Sequence, residues 1–205
     1  MSSLYPKLQR LTLGITLVFI AGCAGRTTVP EDHFYQLPEI GPVMIYDSGQ
    51  IDITIGVDSL RSDGLHGERA ILFINTDTPL ELHRYHYHHW TDSPPRLIQE
   101  SLLKYLRKSR LAQNVVRYEP GQHMDGTIEG TLLHFERIIG PNGINVEVAL
   151  DLGYLDQKHH LAWHKEYHAT AYIKDSALHS SIEGFGTALQ QIFDTFAKDL
   201  MSKLT

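Results

Sequence analysis

Apolar and polar positions sort most of this chain into strands and two helices. Ile51, Ile53, Ile55 and Val57 alternate with Asp52, Thr54 and Gly56, the pattern of a half-buried strand. Residues 61–69 (RSDGLHGER) form a turn-rich loop, and Ala70 to Asn75 (AILFIN) is a short apolar run that predicts a buried strand. After a turn over residues 76–79, the chain extends again from Leu80 to Trp90. Asp92-Ser93-Pro94-Pro95 marks a helix start, because Asp or Ser accepts free backbone N–H groups and proline suits the first turn. Leu97, Ile98, Leu102, Tyr105 and Leu106 then recur at helical spacing to about Ser109. Asn114 to Tyr118 resumes extended structure. Three long strands follow, over residues 124–138, 144–154 and 161–173, joined by short turns as an antiparallel meander. Gly126 and Gly130 in the first of these are positions that mark bulges or close packing. Residues 180–204 form the last helix, capped by Ser180 or Ser181, with Glu183 completing a capping box if Ser180 is the cap. Its apolar stripe is Ile182, Phe185, Leu189, Ile192, Phe193, Phe196 and Leu200. A packed core helix explains that stripe better than a lipid-binding one, since Gln190, Asp194, Lys198 and Asp199 opposite it carry no basic excess. The order βββ-α-β-βββ-α gives an α+β fold. It is a single two-layer domain, an antiparallel or mixed sheet with two main helices on one face.

The N-terminus follows a different pattern. Lys7 and Arg10 precede an apolar stretch over residues 11–20 (LTLGITLVFI). A bilayer-spanning helix needs roughly 20 apolar residues, so this stretch fits the hydrophobic region of a secretory signal. It ends in Ile20-Ala21-Gly22-Cys23, which is similar to a bacterial lipobox. Small residues let the peptidase approach the backbone, and the thiol takes a thioether-linked diacylglycerol. An ordinary signal peptide followed by a chance cysteine is the alternative. It is disfavoured because the only cysteine of the chain sits where a lipobox requires it. Residues 1–22 are therefore read as a lipoprotein signal peptide, 23–32 as the lipidated Cys23 and a tether, and 33–205 as the folded domain. Ala24, in place of an Asp, directs the expectation to the outer membrane.

Composition narrows the field without naming a function. The chain has 205 residues, 42% hydrophobic and 20% charged, which suits one globular domain. A net charge of −6 lacks the basic surplus of a nucleic-acid binder. Loss of Lys7 and Arg10 with the signal leaves the mature chain more acidic still, so it stands off anionic lipid on its tether. With one cysteine, no internal disulfide supports the fold.

Several features together carry a family resemblance over about residues 33–200. After the lipobox comes Phe34-Tyr35-Gln36-Leu37, then the strand Ile55-Gly56-Val57. An aromatic tract, Tyr85-His86-Tyr87-His88-His89-Trp90, then runs into the helix start at Asp92-Ser93-Pro94-Pro95. Leu102-Leu103-Lys104-Tyr105-Leu106 lies in mid-helix. In this order and spacing the chain resembles the ABC-type transport auxiliary lipoproteins, whose best-known branch is PqiC-like. Asp58 to Ser62 departs from the proline-containing stretch common there. The resemblance implies an outer-membrane-anchored periplasmic subunit of an intermembrane lipid transport system. Its partner would be a protein bearing MCE domains, with self-assembly into a homo-oligomer left open.

The histidines are the main argument for other chemistry. There are thirteen, and His83, His86, His88 and His89 crowd one strand. Strict alternation puts His86 and His88 on one face with Arg84 and Trp90, and His83 and His89 on the other with Tyr85 and Tyr87. His164, Glu166 and His168 share a face of another strand. Either set has donors that zinc accepts, but solvent-facing histidines on amphipathic strands are the simpler reading. The spacing H-E-x-x-H is absent, as are G-x-S-x-G and the phosphate loop G-x-x-x-x-G-K-[ST]. The expectation is a non-catalytic protein without metal or cofactor beyond the covalent lipid on Cys23. Tyr85, Tyr87 and Trp90 are the candidate partner-binding residues, since aromatics are enriched at interface anchors. Trp163, Tyr167 and Tyr172 are equally ambiguous between packing and binding. The alternatives are a direct carrier with a groove between the sheet and the last helix, and a histidine-rich metal-dependent hydrolase. A pH response through the histidines is a further alternative.

Overall fold

The computed structural model describes residues 30–42, 44–46 and 51–204. The chain divides into two units, Met1–Glu31 and Asp32–Thr205, and the fold below is that of the second. The signal region and Cys23 lie outside the described residues.

Among the described residues, nine strands form one sheet. They are β1 (His33–Tyr35), β2 (Thr54–Val57), β3 (Arg61–Ser62), β4 (Ala70–Asn75), β5 (Leu82–Trp90), β6 (Asn114–Arg117), β7 (Gly126–Gly140), β8 (Gly143–Asp156) and β9 (Leu161–Ile173). Helix α1 (Pro94–Ser109) falls between β5 and β6, and helix α2 (Leu178–Leu204) follows β9. The α+β class holds, and the β7–β8–β9 meander is antiparallel as its short turns require. The rest of the sheet is largely parallel. β2, β3 and β4 each lie parallel to a different stretch of the long β7, at residues 126–128, 131–132 and 136–139.

Two small strands, β1 and β3, add to the expected order. The segment read as a loop over residues 61–69 contains β3 and a 3-10 turn over Gly64–Gly67. β1 pairs in parallel with the end of β5, matching His33 to His88, Phe34 to His89 and Tyr35 to Trp90.

The core is built from alternation on the strands and stripes on the helices. Val146, Val148, Leu150 and Leu152 of β8 are fully buried. Each faces across to β7 and β9, and α2 lays its stripe over them. All seven predicted stripe residues of α2 are buried, so this face is spent in the core. Gly126 and Gly130 mark close packing. A Cβ at either would meet Tyr154 or the backbone of Asp151 at well below contact distance. The bulge of β7 lies further on, between Leu132 and His134.

Helix α1 starts at Pro94 after Ser93, whose backbone is extended. The side chain of Asp92 accepts the Ser93 N–H at 2.8 Å. The start of α2 differs from the Ser180 or Ser181 expectation. Asp175 accepts from the Ala177 N–H at 2.8 Å and from the Ser180 hydroxyl at 3.0 Å, and the helix begins at Leu178. Ser181 is buried inside the first turns. A carboxylate before the helix is the stronger acceptor for its free N–H groups. The two helices are joined by the Tyr105 hydroxyl, which donates to Asp194, and by the Tyr105 ring against Phe193 at 5.5 Å. Tyr167 of β9 donates to Asp199 of α2 at 2.9 Å, alongside Lys165 at 2.7 Å.

Candidate functional site

The three aromatic residues singled out on β5 have three different fates. Trp90 is 1% exposed. Its ring centroid lies 5.2 Å from Phe135 and 5.4 Å from Phe185, and Arg69 holds its backbone on both sides. It therefore presents no surface to a partner and packs the core instead. Tyr85 is partly buried. Its hydroxyl accepts from Arg137, whose guanidinium carbon lies 5.6 Å from the Tyr85 ring centroid, and Phe73 packs at 4.7 Å. Tyr87 alone remains open, at 44% exposure. Phe34 of β1 is also exposed, and Arg69 stacks on its ring at 5.5 Å. The edge formed by β1 and β5 thus shows two aromatic rings. A cleft of about 630 Å³ lies at the same strand, lined in part by Arg69, Arg84, His86, His89 and Asp92.

Strict alternation along β5 fails for a local reason. Ala70 pairs with His89 but Leu72 pairs with Arg84, so β5 carries extra residues between these positions. The irregularity puts Tyr85 and Trp90 on the buried side together, where continuous alternation would separate them.

The same irregularity disperses the four histidines of β5. His83 stacks on Phe73 at 5.1 Å, and His86 is exposed. His88 lies among His33, Tyr35 and Tyr85, with ring centroids 5.0, 5.8 and 5.6 Å away. Its Nδ1 is 3.0 Å from the Tyr35 hydroxyl. On β9, His164 and His168 turn to separate carboxylates of β8, Asp151 at 3.3 Å and Glu147 at 2.9 Å. Neither set forms a group of three converging donors among the described residues. One such group does occur: His66, His134 and Glu136. The signal open to a reader was His134-x-Glu136 on one face of β7. His66 lies 70 residues away from Glu136 and could not have been assigned to it.

Charge at β5 has a pH consequence. Burial holds the His88 imidazole below its ordinary value of 6.5, and the neighbouring His33, His89 and Arg137 push the same way. A group with a lowered folded value binds its proton more tightly in the unfolded chain. Stability is then lost as pH falls through about 6.5, and the loss continues down to the folded value. We expect the His88 ring signal in an NMR titration to have its midpoint below 6.5, and His88→Gln to flatten the fall in melting temperature between pH 7.5 and 5.5. A midpoint at or above about 6.5 would count against this.

Comparison with known proteins adds fold but no assigned role. No protein-family model and no curated protein matches the sequence. Solved structures do match. The crystal structure of protein XCC0632 from Xanthomonas campestris, described under the family model DUF330, superposes with a TM-score of 0.73 at 14% identity. That match covers 83% of this chain and 96% of the other. An uncharacterized protein superposes with a TM-score of 0.63 at 12% identity, covering 83% and 99%. The hypothetical protein CT253 from Chlamydia trachomatis gives 0.51 at 8% identity, covering 75% and 98%. The likeness is one of fold.

Proposed function

We propose that this chain is a lipid-anchored periplasmic lipoprotein and a non-catalytic auxiliary subunit of an MCE- and ABC-type intermembrane lipid transport system. Cys23 holds it at the outer membrane, and the folded domain docks the MCE component. The observation that carries this reading is an order of parts. A lipobox precedes a domain in which an aromatic strand ending in Trp90 feeds helix α1 at Pro94, as in the family that the sequence resembles. The fold shared with a DUF330 protein is compatible with that family. The carrier alternative asked for a groove between the sheet and α2. Phe185, Leu189, Phe193 and Phe196 pack the centre of that layer, and the cleft of about 520 Å³ at its edge, between β9 and α2, is lined by Lys174, Asp175, Glu183 and Gln191 among others, a polar set that suits an acyl chain poorly.

The docking residue we favour is Tyr87, with Phe34 beside the same edge, while Tyr85 and Trp90 support the strand from behind. The test is capture of partners by the tagged full-length lipoprotein, expressed in its own host and extracted gently from the envelope. Mass spectrometry should identify an MCE-domain protein that is absent from control beads. Tyr87→Ala should lower its recovery while leaving the melting temperature unchanged, since an exposed substitution costs within about 0.5 kcal/mol. Abundant, lipidated bait that brings down no transport component would overturn the adaptor reading.

A further inference from the structure

We propose that His66, His134 and Glu136 form a binding site for a divalent transition-metal cation of the zinc type. The inference stands apart from the adaptor reading and rests on geometry and charge.

The geometry comes from two separate elements of the chain. His66 sits in the 3-10 turn Gly64–Gly67, which opens on Gly64 at a φ of 55°, a conformation that suits glycine. His134 follows directly on the β7 bulge, and Glu136 comes two residues later on the same face. His66 Nε2 lies 3.0 Å from Glu136 Oε2, and His134 Nδ1 lies 2.7 Å from Glu136 Oε1. The candidate ligand atoms all lie within 4.8 Å of one another. Zinc takes imidazole nitrogen and carboxylate oxygen at about 2.0–2.2 Å, so donors around a tetrahedral ion stand about 3.3 Å apart. The separations in this set, from 2.7 Å to at most 4.8 Å, bracket that spacing.

Charge favours a cation at this place. Glu136 is 1% exposed, and among the described residues its ionic partners are two imidazoles, with no lysine or arginine. The adjacent Arg137 does not neutralise it. Arg137 points to the other face of β7, where it donates to Tyr85 and to the Ser176 carbonyl. Glu147 pairs with Glu136 in register, and both Glu147 and Glu166 act on His134. Glu136 Oε2 also accepts the Phe135 N–H at 2.5 Å. The site is thus a buried carboxylate with two imidazoles turned to it. His134 is 47% exposed, which gives an ion an entry path from solvent.

Such an ion fastens the Gly64–Gly67 turn to β7. The test uses the full-length protein in detergent, stripped with chelator and titrated with zinc chloride against a chromogenic competitor. The expected result is one tight equivalent per chain. His134→Ala and Glu136→Gln should weaken it by about 100-fold or more, since even outer-shell partners cost 10–100-fold. His164→Ala/His168→Ala should leave it intact. Zinc should also raise the melting temperature of the wild type but not of His134→Ala. If Glu136→Gln does not fold, His134→Ala, which alters a half-exposed ring, decides alone. No tight equivalent in the wild type, or one equally tight in His134→Ala, overturns the proposal.

Discussion

Trp90→Ala is expected to destabilise the domain by about 3–5 kcal/mol, the range for removing a large buried aromatic. The indole is 1% exposed and forms one cluster with Phe135 of β7 and Phe185 of α2, whose rings are themselves 4.4 Å apart. It therefore joins three elements that are distant in sequence. The backbone adds to this. The Trp90 N–H donates to the Arg69 carbonyl at 2.7 Å, Arg69 Nε returns a bond to the Trp90 carbonyl at 3.0 Å, and the next residue, Thr91, binds Tyr35 of β1 at 2.9 Å. A void here loosens β1 and the start of α1 together. Denaturant unfolding should show a lower midpoint with an unchanged slope, and heating should show a melting temperature lower by roughly 6–20 °C. Trp90→Phe should recover part of the loss. A cost below about 1 kcal/mol would mean that the site collapses around the gap and that Trp90 is not a keystone of the core. Any loss of partner capture in Trp90→Ala follows from the fold, which is why Tyr87→Ala is the cleaner probe of docking.

The elements fixed by local pattern were legible in the sequence. Ala70–Asn75 and Leu161–Ile173 are strands over the residues that the pattern predicts, and α1 ends at Ser109 as its periodicity requires. The α2 stripe predicted the packed face residue by residue, because a 3.6-residue period leaves little freedom in which side is buried. What stayed hidden has physical causes. Short strands such as Arg61–Ser62 have too few residues to show a period. The parallel partners of β7 are set by crossovers, which no local pattern records.

Bulges did the most to obscure the candidate sites. The extra residues in β5 reverse the side on which Tyr85 lies, so the aromatic tract looked like a continuous two-faced strand when it is not. The β7 bulge shifts the inward set from Ile128 and Leu132 to Phe135 and Arg137. That shift puts His134 and Glu136 on the opposite face of the strand, where both meet His66 and Glu136 stays buried. Each histidine was visible in the sequence, but the triad depends on register and on a turn 70 residues away from Glu136.

Cys23→Ala is expected to move the protein from the membrane fraction to the soluble one. Under the proposed reading, Cys23 carries a diacylglycerol and a further acyl chain on its amine. Each buried CH₂ contributes about 0.8 kcal/mol, and two or more chains hold stably where a single chain is marginal. The folded unit has little else to bind lipid with. Among the described residues no helix is long and apolar enough to cross a membrane, and the apolar face of α2 is spent against the sheet. The net charge of −6 repels an anionic surface. The loss should therefore be close to complete, with the melting temperature of the domain unchanged, because Cys23 lies outside the compact unit Asp32–Thr205. Retention in membranes washed with high salt of a Cys23→Ala chain shown by mass spectrometry to have lost residues 1–22 would show that something other than this thiol anchors the mature protein, and the lipobox reading would fail. The two single substitutions then part cleanly. Tyr87→Ala should keep the membrane and lose the partner, while Cys23→Ala should lose the membrane and keep an intact docking edge.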